Sequence, residues 1–533
     1  MDRTTSEARL DSFFATLASE LANKYGRTPE KQSAIDRLAI RCRKRAAFER
    51  PELEPLQLAK FCKINAEVQT HVWNLPSDVE ANARHFILVA LERYTSSVDE
   101  LSIQNPLCME HVFDNWRFGP GASNGIQGTH TAEKLSKRMT CTTLCEPLVS
   151  SLRLRNAYLA AKDSRDGLGT TVVEGSRMQT VPKNEDTVRT IAIEPSGNMA
   201  LQLAAGHYLE GTLRYVGLDI TTQEPKNKRL ARVGSVTGRL ATIDLSAASD
   251  RISIELVRRL LPSKWFELLV KLRSPITEFP DGTKVELNMI STMGNGFTFP
   301  LMTLLICSII YGMRAVRHGP SLYIDWTHTA VYGDDIIVPT HEYHTLCDLL
   351  NGAGFVVNHD KSFSDGPFRE SCGGDYWLGV DITPFYVESL SSNAELYVAL
   401  NKVLEWCARH EIVLHCTILN LLRLLGNRPF LVPEWYNPDQ GILTSRCGRR
   451  FKYLSIQQGR LELKNHEFAV MLACGGYLTP DGPDMFYIPR GFGKPRYSVR
   501  QARLPSGYLD GWSPERGTKT GSAWISMILE ILS

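Results

Sequence analysis

Along the middle of the chain the spacing of apolar residues switches repeatedly between strand and helix periods. Leu240-Ala241-Thr242-Ile243 is an apolar run of strand length that delivers Asp244. Apolar residues at helical spacing follow over 252–261 and stop at Pro262. Residues 284–289 then read as a strand, 291–296 as a loop and 297–313 as a helix. Thr329-Ala330-Val331-Tyr332 breaks at Gly333-Asp334-Asp335 and resumes as Ile336-Ile337-Val338. That break predicts a hairpin, with Gly333 supplying a turn conformation that side chains resist. A helix over 342–353 and a strand over 354–357 lead into Asn358-His359-Asp360-Lys361. Strands and helices therefore alternate from 240 to 361, which predicts helices layered behind a sheet.

The flanks have other periods. Residues 16–25 and 79–94 carry apolar positions at helical spacing, separated by breaks at Pro51, Pro55 and Pro76. Residues 171–192 alternate in strand fashion, and 395–410 and 411–425 return to the helical period. Residues 118–128 are Gly-rich, but no Walker lysine follows, so a P-loop is not supported. Residues 296–313 hold no charge and are about 18 long, the lower edge for a membrane span. Their place between a Gly-containing loop and the hairpin favours a buried helix. Residues 1–20 lack a signal-peptide core.

Composition narrows the class without naming a function. A length of 533 residues implies three or so domain-sized units. Hydrophobic content of 43% with 22% charged residues is that of an ordinary globular protein. The net charge of +2 means that any contact with nucleic acid must use local patches. Such patches exist at Arg37, Arg41, Arg43, Lys44, Arg45 and Arg50, and again at Lys226, Lys228, Arg229, Arg232 and Arg239. A third, at Arg446, Arg449, Arg450, Lys452, Lys494, Arg496, Arg500 and Arg503, is interleaved with Tyr453, Tyr487 and Tyr497, which suits stacked single-stranded bases. Solvated surface charge is the competing reading for each. The twelve cysteines show no zinc-site spacing, and free thiols in a reducing cytosol are the reading adopted.

The chemistry concentrates in the carboxylates. Two adjacent aspartates at the tip of buried strands repel and lose hydration, which a multivalent cation relieves. An all-oxygen site suits Mg²⁺ or Mn²⁺, although a solvated Gly-Asp-Asp turn is equally ordinary. Asp244 ends one strand and Asp334-Asp335 tip a hairpin about 90 residues later, so one sheet can bring all three together around two divalent cations. Two metals activate an attacking hydroxyl and stabilise a leaving pyrophosphate, and phosphoryl transfer needs little beyond position and charge. Arg177, Lys183 and Arg189, on the strands over 171–192, are placed to neutralise a triphosphate. Cations that protect a strand edge are the alternative.

The blocks 241–250, 291–299 and Tyr332-Gly333-Asp334-Asp335 resemble polymerase palm motifs A, B and C. More narrowly, with Val181-Pro182-Lys183-Asn184, Glu194-Pro195 and Phe368-Arg369-Glu370-Ser371-Cys372-Gly373, they resemble the replicase β subunits of the leviviruses, the small RNA bacteriophages. The similarity is dense from about 180 to 386. It implies an α+β right-hand polymerase fold: an N-terminal extension and fingers over 1–239, a palm with an antiparallel sheet over 240–386, and a thumb and C-terminal region over 387–533. It implies RNA-directed RNA synthesis from ribonucleoside triphosphates with two Mg²⁺, for which Mn²⁺ can substitute, begun without a primer at a C-rich template end. Asp244, Asp334 and Asp335 match the metal-binding carboxylates, helped by the Leu245 carbonyl. Ser291, Gly294 and Asn295 match the loop that positions template and nascent pair. Lys183 and Arg189 fall where finger strands contact phosphates, and Lys361 where a lysine protonates pyrophosphate, or else a solvated lysine follows a strand. Many RNA polymerases carry a second aspartate five positions after the first. Here Ser249 holds that place and Asp250 follows, so Asp250, Ser249 or Asn295 is expected to read the 2′-hydroxyl. Template and product RNA, host elongation factors Tu and Ts, the largest small-subunit ribosomal protein and the cytoplasm of an infected bacterium are the implied partners and location, with no membrane. A reverse transcriptase and a non-catalytic RNA-binding scaffold are the rival readings.

Overall fold

A computed structural model describes residues 3–23, 28–41, 52–99, 105–119, 121–126, 131–183, 187–320, 325–426 and short stretches between 429 and 503. Arg43, Lys44, Arg45, Arg50, Asn184, Arg446, Arg449, Arg450, Lys452, Tyr453, Lys494, Arg496, Tyr497 and Arg500 lie outside the described residues. The chain divides into two compact units, Met1–Arg45 with Pro384–Ser533, and Ala46–Thr383.

In the second unit the apolar run at 240 forms the strand Leu240–Ile243, and the predicted hairpin forms Ala330–Tyr332 and Asp335–Pro339. They make a three-stranded antiparallel sheet with the hairpin's second strand in the centre. Strand alternation gives this sheet two faces. Leu240, Ala330 and Ile337 lie with Leu230 and Ala231 of the helix Ile220–Thr237. Ala241, Ile243, Val331, Ile336 and Val338 belong to the main core, which also holds Leu301, Leu304 and Leu305. Helices thus cover both faces, and all the core strand positions are sealed from water.

The helix over 297–313 is observed as Thr298–His318. It is long and apolar enough to cross a membrane by length and composition, but 83% of its most apolar stretch is buried inside the protein, chiefly against the helix Ser77–Val98. At its C-terminal end Arg314 makes a fork to Glu342, with Nε to Oε1 at 2.9 Å and Nη2 to Oε2 at 2.7 Å, and Nη2 also donates to Thr329 Oγ1 at 2.6 Å. Thr329 precedes the hairpin, so this pair ties the helix to the hairpin's base. Beside the sheet, Ser176–Pro182 and Val188–Ile193 form the two-stranded extension, joined by Ile276–Glu278 and Lys284–Glu286 into four strands.

Several expected boundaries move. The strand expected over 284–289 ends at Glu286, where Asn65 Nδ2 donates to the Glu286 carbonyl at 2.8 Å. No regular strand forms over 354–357: Gly354 turns the chain at φ +100°, and only Val357 pairs, as an isolated bridge to Leu245. The first helix runs Arg3–Ala22 rather than 16–25.

In the first unit, Glu20 accepts from the backbone amides of Cys416 and Thr417 at 2.9 Å each and from Thr417 Oγ1 at 2.9 Å. A carboxylate on one helix thereby satisfies the free amides that open the helix His415–Leu425. The helix Asn393–His410 carries a capping box of Ser392 and Glu395.

Candidate active site

The sheet register builds the site. Leu240 pairs with Pro339 and Ile243 with Ile336, so the next step outward sets Asp244 opposite Asp335. Antiparallel partners have Cα atoms about 4.5–5.5 Å apart and point their side chains to one face. Asp335 closes the hairpin opposite Tyr332, with Gly333 and Asp334 as its two-residue turn. Gly333 takes φ +62°, and a Cβ there would stand 2.5 Å from the Phe299 ring. Its amide donates to Thr303 Oγ1 at 3.1 Å, which fastens the turn to the buried helix. Positive φ at the first turn residue and not the second is the pattern of the hairpin turns that match strand twist.

Both carboxylates of the register pair are held by protein donors. Asp244 Oδ2 accepts from Asn358 Nδ2 at 2.8 Å, while its backbone bonds Asn358 and Ser362. Asp335 Oδ1 accepts from the Cys372 amide at 2.8 Å and Ser371 Oγ at 3.2 Å. Burial raises the pKa of all three aspartates, and Asp335 reaches about 6. For Asp335 the neighbouring charges of Asp334 and Asp244 push in the same direction as burial. For Asp334 the opposing influences are its own backbone hydrogen bond, then Arg189, Lys183 and Lys361. Lys361 also opposes the rise at Asp244. Lys183 has its pKa lowered by desolvation and by Arg189 and Lys361, against the pull of Asp244 and Asp334. Three carboxylates and three cations from four separate segments therefore act on one another in one place.

The hairpin of Ser176–Pro182 and Val188–Ile193 explains how the cations arrive. Val181 pairs with Arg189, and the Lys183 amide donates to the Thr187 carbonyl at 2.9 Å. Arg177 pairs with Ile193 near the start of the strand Ser176–Pro182, six residues before Lys183 and so roughly 20 Å from it at the strand rise.

The loop over 291–296 is anchored by the Ala192 amide, which donates to the Met293 carbonyl at 2.8 Å. Gly294 takes φ +115°, and a Cβ would collide with the Ala192 carbonyl, so no larger residue fits. Asp250 is buried, its carboxyl pushed up to about 6 by desolvation against a hydrogen bond from the Met293 backbone and another from Ser249. Beside it, Ser291 Oγ and Asn295 Nδ2 are buried without a hydrogen-bond partner among the described residues. Buried polar atoms of this kind are met by an ordered water or by a bound ligand, and here Asp250, Ser291 and Asn295 share one loop cluster.

A hard divalent cation fits this donor set: oxygen only, desolvated, and like-charged. Among the described residues, however, no group of three or more His, Cys, Asp or Glu side chains is placed to hold a metal ion. The strand register and the mutual electrostatics are what support the fit. Leu245, next in the chain, is buried and bridged to Val357. Lys361 lies in the short turn His359–Lys361 directly after Asn358.

Sequence reasoning missed Asn227, Asn358, Ser362 and Thr303. Asn358 and Ser371 stood in blocks already singled out, so their proximity was signalled. Asn227 sits in a basic run and carried no signal at all.

The model of the family described as RNA replicase, β-chain, matches residues 49–421. The RNA-directed RNA polymerase subunit β of Escherichia virus Qbeta is 40% identical over 301 residues, covering 56% of this chain and 49% of the relative. That of Enterobacteria phage SP is 46% identical over 228 residues, 43% of this chain and 38% of the relative. The RNA-directed RNA polymerase β chain of Escherichia phage MS2 is 34% identical over 350 residues, 64% and 61% of the two chains. The chain spans about half the length, or less, of the first two relatives. Among solved structures, one described as an RdRp complex aligns with a TM-score of 0.42 at 11% identity, covering 67% of this chain and 34% of the other. The RNA-dependent RNA polymerase of BmCPV at elongation state aligns at 0.39 and 13%, covering 66% and 33%.

Proposed function

The chain belongs to the RNA replicase β-chain family, and from that premise we propose that it is the polymerase subunit that copies a single-stranded RNA phage genome. The observation that carries this reading is the register of Ile243 with Ile336, which continued by one residue carries Asp244 toward Asp335, where the aspartates act on one another and on Lys183, Arg189 and Lys361. Asp244, Asp334 and Asp335, with the Leu245 carbonyl, would hold two Mg²⁺ or Mn²⁺. When bound, such ions supply activation of the 3′-hydroxyl and neutralisation of the leaving pyrophosphate.

The remaining steps fall to this chain's own residues. Lys183 and Arg189 bind the incoming triphosphate and orient it toward the aspartates. Lys361 gives a proton to the departing pyrophosphate. Asp250, with Ser249 and Asn295, reads the ribose 2′-hydroxyl, and Ser291 and Gly294 shape the floor beneath the nascent pair. Burial of Asp250 and the unpartnered atoms of Ser291 and Asn295 support that assignment.

Within the same reading, 1–239 comprise an N-terminal extension and fingers, 240–386 the palm, and 387–533 the thumb and C-terminal region of a right-hand polymerase. Initiation is primer-independent, and the site of action is the cytoplasm of the infected bacterium. Elongation factors Tu and Ts and the largest small-subunit ribosomal protein are the expected host partners. The test is extension on a C-ended RNA template by the purified chain, with and without bacterial extract, supplied with either rNTPs or dNTPs. Incorporation of rNTPs that is abolished by Asp334→Asn is expected. Preferential dNTP incorporation would make the chain a reverse transcriptase, and retained RNA binding with no incorporation under any condition would make it a scaffold.

A further inference from the structure

The two-residue turn between the strands Phe368–Ser371 and Gly374–Trp377 lies against the hairpin aspartate, and positive φ at both of its residues is the form that matches strand twist. Cys372 takes φ +51° and Gly373 φ +70°. Side chains resist that conformation at Cys372, yet it accompanies an amide aimed at Asp335 Oδ1, 2.8 Å away. Beside it, Ser371 is buried at 1% exposure and its hydroxyl donates to the same oxygen at 3.2 Å. A hydroxyl has one proton, so its rotation has to be settled by an acceptor on one side and a donor on the other. Asn227 is that donor: fully buried on the helix Ile220–Thr237, its Nδ2 gives to Ser371 Oγ at 3.1 Å and to the Asp335 carbonyl at 3.1 Å.

The two bonds of Asn227 converge on Asp335 from backbone and side chain at once. Its own Oδ1 is buried with no hydrogen-bond partner among the described residues. An amide kept at this spot with half its capacity unused is poorly explained by packing alone. An apolar residue would fill the place without an orphaned oxygen.

Resting on the polymerase reading, we infer that Asn227 and Ser371 are positioning residues. Asn227 orients the Ser371 hydroxyl, and Ser371 with the Cys372 amide holds one carboxylate oxygen of Asp335, fixing the other relative to Asp244 for the divalent cation. Neither residue touches substrate. The cation's fit to the site therefore depends on a helix and a turn outside the two segments that carry the three carboxylates.

The test measures Mn²⁺ binding to the full-length chain by electron paramagnetic resonance, alongside thermal melting. Ser371→Ala and Asn227→Ala are each expected to weaken Mn²⁺ binding roughly 10-fold, as loss of a hydrogen bond behind a ligand does. The double variant should lose less than the product of the singles, because both act through one chain of bonds. Ser371→Thr, which keeps the hydroxyl, should restore most of the affinity. A purely structural role would lower the melting temperature while Mn²⁺ affinity stayed put, and that result overturns the inference. If Ser371→Ala fails to fold, Asn227→Ala and Ser371→Thr carry the same comparison. Wild-type chain that takes up no Mn²⁺, or takes it up equally after Asp334→Asn, overturns the metal reading itself and the inference with it. Unchanged affinity in the two alanine variants, with Asp334→Asn impaired, overturns only the inference.

Discussion

At the scale of single residues, desolvation sets the behaviour of the site. Asp335 and Asp250 both have folded-state pKa values of about 6, above the ordinary 3.8. A raised acid binds its proton more tightly in the folded chain, so it stabilises the fold fully below about pH 4. That contribution fades as pH rises through about 6. The metal-free chain should therefore be less stable and melt at lower temperature at pH 7.5 than at pH 5, by an amount on the order of 1–1.5 kcal/mol per group. Mg²⁺ should recover the share of the aspartate cluster and leave that of Asp250 in place. Calorimetry over this range checks it, and a stability that rises with pH would contradict it. The cations divide by role. Lys183→Ala should raise the apparent KM for nucleotides several-fold while kcat changes less, because phosphate charge goes uncompensated. Lys361→Ala should lower kcat and spare KM, a contrast that steady-state kinetics reads directly.

At the scale of elements, the hairpin is held from beneath and from behind. Gly333 combines positive φ with the 2.5 Å approach of the Phe299 ring, so Gly333→Ala meets both backbone strain and a clash. A loss of about 2 kcal/mol or more is expected in denaturant unfolding. The Arg314–Glu342 fork is mostly enclosed, with Glu342 side-chain exposure of 8%. Arg314→Ala leaves that carboxylate buried and unpaired, at a cost of about 3 kcal/mol. It should also impair incorporation, since Thr329 at the hairpin's base loses the same guanidinium. Substituting both members, Arg314→Met with Glu342→Leu, should recover much of the stability, which separates the pair's charge from its volume. The elements themselves were the most legible part of the sequence. Leu240–Ile243 and the 330–339 hairpin follow from apolar runs broken at glycine and aspartate. The stretch 354–357 failed because Gly354 turns the chain and a single residue pairs. An apolar run of four does not record whether a partner strand stands beside it.

At the scale of the whole chain, the aspartates, Lys183, Arg189 and Lys361 all lie within Ala46–Thr383. So do the main core and the smaller clusters around the sheet's other face and around Phe61. A fragment of 46–383 should consequently fold on its own, with a cooperative melt and Mn²⁺ binding comparable to the full chain. A fragment that expresses only as a molten or aggregated species would show that the core needs residues beyond those limits. The first unit joins the chain's two described ends: Asn420 Nδ2 bonds Ser12 Oγ and Thr16 Oγ1 at 3.1 Å each. No apolar period along 3–22 or 415–425 announces that pairing, because a helix's own spacing shows which face is apolar and not which helix will cover it.

What the amino-acid order determined by itself was local: which residues form the strands, where a glycine must turn them, and that three aspartates and a set of lysines and arginines stand at their ends. The block order 241–250, 291–299, 332–335 was enough to point to the family whose model matches 49–421. Only the tertiary structure decided that the register ending at Ile243 and Ile336 carries Asp244 toward Asp335, that Lys183 feels the charge of Asp244 and Asp334, and that Asn227 and the Ser371–Cys372 turn grip the hairpin aspartate. The reason is physical. Periodicity is written by contacts a few residues apart, whereas register and side-chain grip come from segments separated by 36 to 108 residues, which meet only when the sheet and the helix over it close.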